Sequence, residues 1–143
     1  MTPLHIAVCV TASGDLIHRI SLKLSSQFEL LGDHCPSFSE WLEAYLAGIP
    51  IPFKGRLGTV GTPFQRTCWE MLSRIPFGST RSYGQIAQQL GIQKTQRAVG
   101  GACNKNPWPL LIPCHRVVQA QGIGGFAFDL EIKKRLLSFE SGV

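Results

Sequence analysis

Ser82-Tyr83-Gly84-Gln85-Ile86-Ala87-Gln88-Gln89-Leu90-Gly91-Ile92-Gln93-Lys94-Thr95-Gln96-Arg97-Ala98-Val99-Gly100-Gly101-Ala102-Cys103-Asn104 carries two helix starts thirteen residues apart with a glycine stop between them. Ser82 and Gln85 have the spacing of a capping box, in which each side chain satisfies a free backbone N–H at the helix start. A helix therefore opens here and runs through Leu90, and Gly91 ends it as a C′ glycine. After Ile92-Gln93-Lys94, Thr95 caps a second helix through about Asn104. Helix, short glycine-containing turn, helix is the helix-turn-helix pattern, which many all-helical proteins also contain.

The second helix has an unusual composition. Gly100 and Gly101 together cost roughly 2 kcal/mol relative to alanine. Either another element packs closely there, or a bulky ligand must approach the backbone. A DNA groove is one such ligand, and Arg97 near the helix start can contact phosphate or reach between bases.

Downstream, the prolines of Asn106-Pro107-Trp108-Pro109 bar helix and make this segment extended. It feeds Leu110-Leu111-Ile112 into Pro113-Cys114-His115-Arg116-Val117. A thiolate is the strongest nucleophile among the side chains, and nearby cations lower its pKa. The competing reading is a buried structural cysteine, since free Cys is often buried. Adjacent residues point to different faces of a helix or strand, so His115 is better placed for a relay through water than for direct proton transfer from Cys114. Arg116 can meet a phosphate or an internal partner. Val117-Val118 begins a hairpin-like stretch turning at Gly122, Gly124 and Gly125. Asp129 caps a last helix with Ile132, Leu136, Leu137 and Glu140 on or near one face.

Upstream, Thr62 caps and Pro63 opens a helix to about Arg74, with Phe64, Cys68, Met71 and Leu72 on its apolar face. Residues 49–61 are rich in Pro and Gly and read as a connector. A helix is expected near 38–47, with Ser37 and Glu40 as a capping box behind Pro36. Its stripe of Phe38, Trp41, Leu42, Tyr45 and Leu46 reads as core. Residues 4–10 and 16–24 are β-rich and flank Ala12-Ser13-Gly14-Asp15, a hairpin turn. The expected fold is α+β. A small N-terminal α/β domain (1–60, β-hairpin plus helix) precedes a mainly helical C-terminal domain (61–143) with a winged-helix-like helix-turn-helix.

Composition is that of an ordinary globular chain, 44% hydrophobic and 16% charged. There is no run of eighteen apolar residues and no signal-peptide pattern at the start, so a cytoplasmic protein without membrane attachment is expected. Five cysteines at irregular spacing argue against a disulfide framework. His34-Cys35 with Cys9 and His5 or His18 are conceivable zinc ligands, but no C-x-x-C or H-x-x-x-H spacing supports a metal. Residues 1–60 hold four Lys/Arg against five Asp/Glu, net −1, and residues 61–143 hold ten against four, net +6. The basic half suits an anionic partner such as nucleic acid, or is a solvated surface.

Taken together, the second half resembles the O6-alkylguanine-DNA alkyltransferases, the methylated-DNA–protein-cysteine methyltransferases. The resemblance rests on Gly61-Thr62-Pro63-Phe64-Gln65-Arg66, Ile75-Pro76-Phe77-Gly78, Ser82-Tyr83-Gly84-Gln85, Arg97-Ala98-Val99-Gly100, Asn106-Pro107, Ile112 through Val118, and Lys133 through Glu140. It implies suicidal transfer of an alkyl group from O6-alkylguanine in double-stranded DNA to Cys114, and leaves O4-alkylthymine open as a second substrate. His115 and Glu140 match the pair that activates the cysteine through a bound water. Asn106 matches the asparagine that steadies this segment, and Tyr83 the tyrosine that aids nucleotide rotation and protonates the leaving guanine. Arg97 matches the arginine finger that fills the gap left by the extruded base. The implied DNA face adds Thr95, Gln96, Ala98, Gly100, Gly101 and Ala102. The implied pocket comprises Val117, Phe126, Ala127, Cys103 and Trp108. No cofactor is implied, and a monomer is expected.

Three departures stand out. Phe126 replaces a frequent tyrosine, Phe128-Asp129 replaces two glycines, and Asn104 replaces an occasional cation. Two other readings fit the same residues. One is a non-catalytic protein that flags alkylated bases, although such relatives replace the cysteine. The other is a helix-turn-helix regulator using Cys114 as a sensor.

Overall fold

A computed structural model describes residues 3–91 and 95–142. The hairpin forms where alternation and Gly14 predict it. Strands β1 (Ile6–Ser13) and β2 (Leu16–Leu24) pair antiparallel around Gly14, whose φ of +62° suits glycine. Ile6, Val8 and Val10 of β1 and Ile17, Ile20 and Leu22 of β2 are buried. Two short strands extend the hairpin into a mixed sheet of order β3-β1-β2-β4: β3 (Glu29–Gly32) runs parallel to β1, and β4 (Arg56–Leu57) parallel to β2. The stretch 49–61 is therefore more than a connector. Arg56 N–H donates to the Asp15 carbonyl at 2.8 Å, tying it to the hairpin turn.

Helix α1 (Pro36–Leu46) buries Phe38, Trp41, Leu42 and Tyr45 of the predicted stripe and leaves Leu46 half-buried. Its start corrects the expected cap. Cys35 is the N-cap residue, Pro36 occupies the first turn, and Ser37 and Glu40 form no capping box. Proline fixes φ for the helix from the first turn, so Ser37 lies inside it. Asp15 of the hairpin turn accepts the Ser37 N–H at 3.1 Å instead, and Glu40 pairs with Lys54.

Helix α2 (Pro63–Leu72) carries a full Thr62–Gln65 capping box and buries Cys68, Trp69 and Leu72, with Phe64 and Met71 half-buried. Helix α3 (Tyr83–Leu90) opens with the Ser82–Gln85 box and stops at Gly91, where φ is +126°. Helix α4 (Gln96–Asn104) is capped by Thr95, whose hydroxyl accepts from Ala98 N at 3.2 Å. The helices α2, α3 and α4 pack on one another. The predicted turn Ile92-Gln93-Lys94 lies outside the described residues.

Val117-Val118 forms β6, but its partner is β5 (Arg81–Ser82), in parallel. The hairpin-like return is reduced to a single bridge, Gln119 to Gly122. The parallel pair sets the start of α3 beside the Cys114 segment. Helix α5 (Leu130–Ser141), capped by Asp129, buries Ile132, Lys133, Leu136, Phe139 and Glu140. The two halves of the chain share one apolar core. Polar ties add to it: Ile20 N–H donates to Pro107 O, Trp108 Nε1 to Ile17 O, and Arg135 to His5 O.

Candidate active site

Asn106 shapes the approach to Cys114. Its side-chain amide donates to Ile112 O at 2.8 Å, and its oxygen accepts from Trp108 N at 2.9 Å, closing a loop over 106–112. Inside that loop Leu110 holds a φ of +79°, a left-handed conformation costing roughly 1–3 kcal/mol for a non-glycine residue. Leu110 is itself buried, and Ile112 N–H donates back to Trp108 O, so the surrounding packing holds the strained turn. The chain then enters a 3-10 turn, Cys114–Arg116, with all three residues buried.

Burial raises the Cys114 thiol above the usual range, while a hydrogen bond from Asn106 and the Lys133 charge pull the other way. The thiol rests protonated and needs a proton acceptor. His115 is fully buried, and its Nε2 lies 2.6 Å from Glu140 Oε2. A carboxylate only accepts, so Nε2 carries the proton and Nδ1 is the acceptor of the neutral ring. Among the described residues Nδ1 is the one buried side-chain nitrogen or oxygen without a hydrogen-bond partner. Burial depresses the His115 pKa, outweighing the pull of Glu140.

Glu140 is held as the anion. Burial disfavours its charge, but His115 and Arg116 prevail and bring its pKa down to about 2. Arg116 Nε donates to Oε1 at 2.7 Å, Nη2 reaches Oε2 at 3.2 Å, and Nη1 donates to Ile75 O at 2.7 Å. Of the two sequence readings of Arg116, the internal partner is the one observed. Tyr45 of α1 completes the shell, its hydroxyl donating to Oε2 at 2.6 Å.

Two functional groups escaped the sequence reading. Lys133 is fully buried and donates to Val117 O at 2.6 Å and Gly125 O at 2.8 Å. Burial lowers its pKa to about 8, against the attraction of Cys114 and Cys103. The available signal was a lysine seven residues before Glu140, on the stripe of Ile132 and Leu136. Tyr45 was read as core, which it is, but nothing local marks its hydroxyl as bound for a residue 95 positions away.

Tyr83 is half-buried beside this group. Its hydroxyl reaches Gly125 O at 3.4 Å, and burial pushes its pKa up to about 12. A Cβ at Gly124, where φ is +79°, would fall 2.8 Å from the Tyr83 ring, so the glycine turn and the ring require each other. Cys103 is buried and couples electrostatically to Cys114. Val117 is buried, Phe126 is half-buried with its ring centroid 5.7 Å from that of Phe128, and Ala127 is exposed.

On α4, Thr95, Gln96, Arg97 and Gly101 are exposed, and Ala98 and Gly100 are half-buried. Ala102 corrects the expected face. It is buried, and its carbonyl accepts from Trp69 Nε1 at 2.8 Å. Helical geometry explains this, because Val99, Ala102 and Cys103 line the side opposite Arg97, Gly101 and Asn104. Internal packing does not account for the glycine pair. Among the described residues, a Cβ at Gly101 would meet nothing within 4 Å, and one at Gly100 only the Tyr83 ring edge at 4.0 Å. Trp108 is likewise structural. Its indole is tied to Ile17 O and packs edge-on against Trp69. It lines a cavity of about 690 Å³, whose walls include Pro113 and Arg116 but not Cys114. Among the described residues no three His, Cys, Asp or Glu side chains converge as metal ligands.

Fold and site define an α+β protein with a buried cysteine, backed by a histidine–glutamate–arginine network, beside a helix pair with an open, glycine-bearing face. The family described as 6-O-methylguanine DNA methyltransferase, DNA binding domain, matches residues 63–142. A methylated-DNA–protein-cysteine methyltransferase of Methanosarcina acetivorans is 48% identical over 103 residues, covering 71% of this chain and 66% of the relative. One from Methanosarcina mazei is 46% identical over the same length, so the match spans slightly under two thirds of these relatives. Among solved structures, Mycobacterium tuberculosis OGT in complex with DNA superposes with a TM-score of 0.79 at 30% identity, covering 96% of this chain and 93% of that one. The O6-methylguanine-DNA methyltransferase of Pyrococcus kodakaraensis gives 0.70 at 26% identity, covering 96% and 99%. The chain belongs to the methylated-DNA–protein-cysteine methyltransferase family.

Proposed function

We propose that this chain repairs DNA by direct reversal, moving the alkyl group of O6-alkylguanine irreversibly onto Cys114. The observation that carries the reading is the His115–Glu140 pair at 2.6 Å, which leaves a buried acceptor nitrogen on the residue next to the thiol. The thiol proton passes through a bridging water to His115 Nδ1, and Glu140 stabilises the imidazolium. The Cys114 sulfur attacks the alkyl carbon as the carbon–O6 bond breaks. The departing guanine takes a proton from the Tyr83 hydroxyl, whose raised pKa keeps it protonated until then. The product is a thioether with no route back, so each molecule acts once and needs no cofactor.

The reacting carbon lies inside a duplex, and the nucleotide must be rotated out at a cost of roughly a few kcal/mol. Arg97 fills the gap. Gly101 and Gly100 let the α4 backbone approach the groove, with Thr95, Gln96 and Ala98 alongside. Phe126, Ala127, Val117 and Cys103 bound the pocket. We read the chain as two units, 1–60 and 61–143, the second winged-helix-like, acting as a monomer in the cytoplasm. No helix among the described residues is long and apolar enough to cross a membrane. The retained cysteine sets the chain apart from proteins that only flag lesions.

The test is to incubate the protein with duplex DNA containing O6-methylguanine and map its peptides by mass spectrometry. Methyl on the Cys114 peptide is expected. Methyl on another cysteine, or none despite tight binding, would overturn the reading.

A further inference from the structure

We infer that Tyr45, delivered by α1 from the N-terminal half, is a positioning residue that tunes His115 through Glu140; the inference rests on the alkyl-transfer reading above. Glu140 Oε2 is shared by two groups at 2.6 Å, the Tyr45 hydroxyl and His115 Nε2. Both must donate, because the carboxylate is ionised and accepts only. The Tyr45 ring is fixed independently of this bond. It stacks on Trp41 at 5.3 Å and meets Phe77 at 5.4 Å and Phe139 at 5.5 Å. The hydroxyl is therefore held by packing and aimed at the carboxylate, not recruited by it.

Arg116 Nη2 also reaches Oε2, at 3.2 Å, so three donors divide its basicity, Tyr45 and His115 at the shortest distances. Each proton that Oε2 accepts reduces the charge left for the other donors. With Tyr45 bound, Glu140 orients His115 without making the imidazolium too favourable, and Nδ1 stays a free acceptor. The other groups facing Glu140 are Arg116, through Nε and Nη2, and the Gly78 N–H at 3.5 Å. Those acting on His115 are Glu140, Arg116 and Lys133, the two cations opposing its protonation. Tyr45 itself does not titrate in the working range, since burial and the adjacent carboxylate raise its pKa well above 10. Its contribution is thus constant with pH. The N-terminal half thereby acquires a part in the chemistry: it supplies one of the donors on the Glu140 carboxylate.

The deciding comparison is Tyr45→Phe, which removes the hydroxyl and keeps the ring. Oε2 then leans more on His115, whose pKa rises. The acid limb of the transfer rate against pH should move up by roughly half a unit to one unit. Trp41→Phe disturbs the same aromatic stack without touching Glu140. It should lower the melting temperature and leave the pH profile in place. A Tyr45→Phe profile identical in shape to wild type, with only a lower melting temperature, would overturn the inference. Titration of His115 by 15N NMR in both proteins reads the same shift without any transfer. If wild type fails to transfer an alkyl group but His115 still shifts, the functional reading fails and the tuning stands. If wild type transfers and His115 does not move, the tuning fails alone.

Discussion

Lys133 Nζ lies 5.6 Å from the centroid of the Tyr83 ring while donating to the carbonyls of Val117 and Gly125. One buried ammonium thus joins the strand after the cysteine, the glycine turn and the tyrosine. It is also the cation that favours ionisation of Cys114. Lys133→Met should raise the thiol pKa, and each unit of that rise costs about tenfold in thiolate. Losing the two carbonyl bonds should cost roughly 1–3 kcal/mol in stability. Iodoacetamide trapping of Cys114 against pH, with urea unfolding alongside, measures both.

Glu140 links the network to acid stability. Its pKa falls from 4.5 to about 2 on folding. A depressed carboxylate contributes stability that is present above pH 4.5 and is lost as the pH drops towards 2, worth on the order of 3 kcal/mol. Glu140→Gln should be less stable than wild type at pH 7, and the gap should close between pH 4.5 and 2. Urea unfolding of both proteins across that range measures it.

Gly101 poses a trade between helix stability and DNA access. Among the described residues no atom lies within 4 Å of a Cβ placed there. Gly101→Ala should therefore stabilise α4 by up to about 1 kcal/mol. It should also slow repair of duplex DNA, because the methyl group stands on the face we propose approaches the groove. A raised melting temperature with unchanged duplex repair would show that α4 does not make that approach.

Arg97 is exposed near the start of the same helix. Arg97→Ala should slow transfer from duplex DNA far more than transfer from free O6-benzylguanine, which needs no base extrusion. Equal losses on the two substrates would remove the wedge role.

Much of this was legible in the sequence. Capping boxes are local, so Ser82–Gln85 fixed α3 and Thr62 fixed α2 to within a residue or two. The strands β3 and β4 were not legible, being too short to show alternation and existing only through their pairing with β1 and β2. The Ser37–Glu40 spacing misled because Asp15, distant in sequence, takes the N–H that a local cap would take. The motif around Cys114 marked the thiol and His115, and family resemblance supplied their roles and that of Glu140. Neither revealed that Ala102 faces inward or that Trp108 is pinned to Ile17, since both depend on which side of α4 and of the loop meets Trp69. Tyr45 was out of reach for the same reason, as its partner lies on the last helix.

The proposed reaction consumes its own protein. It is tested most directly by counting labelled methyl groups transferred from excess O6-methylguanine duplex DNA. The label should plateau at one per chain and disappear in Cys114→Ser. A count that keeps rising past one, or label that survives the substitution, would contradict the account.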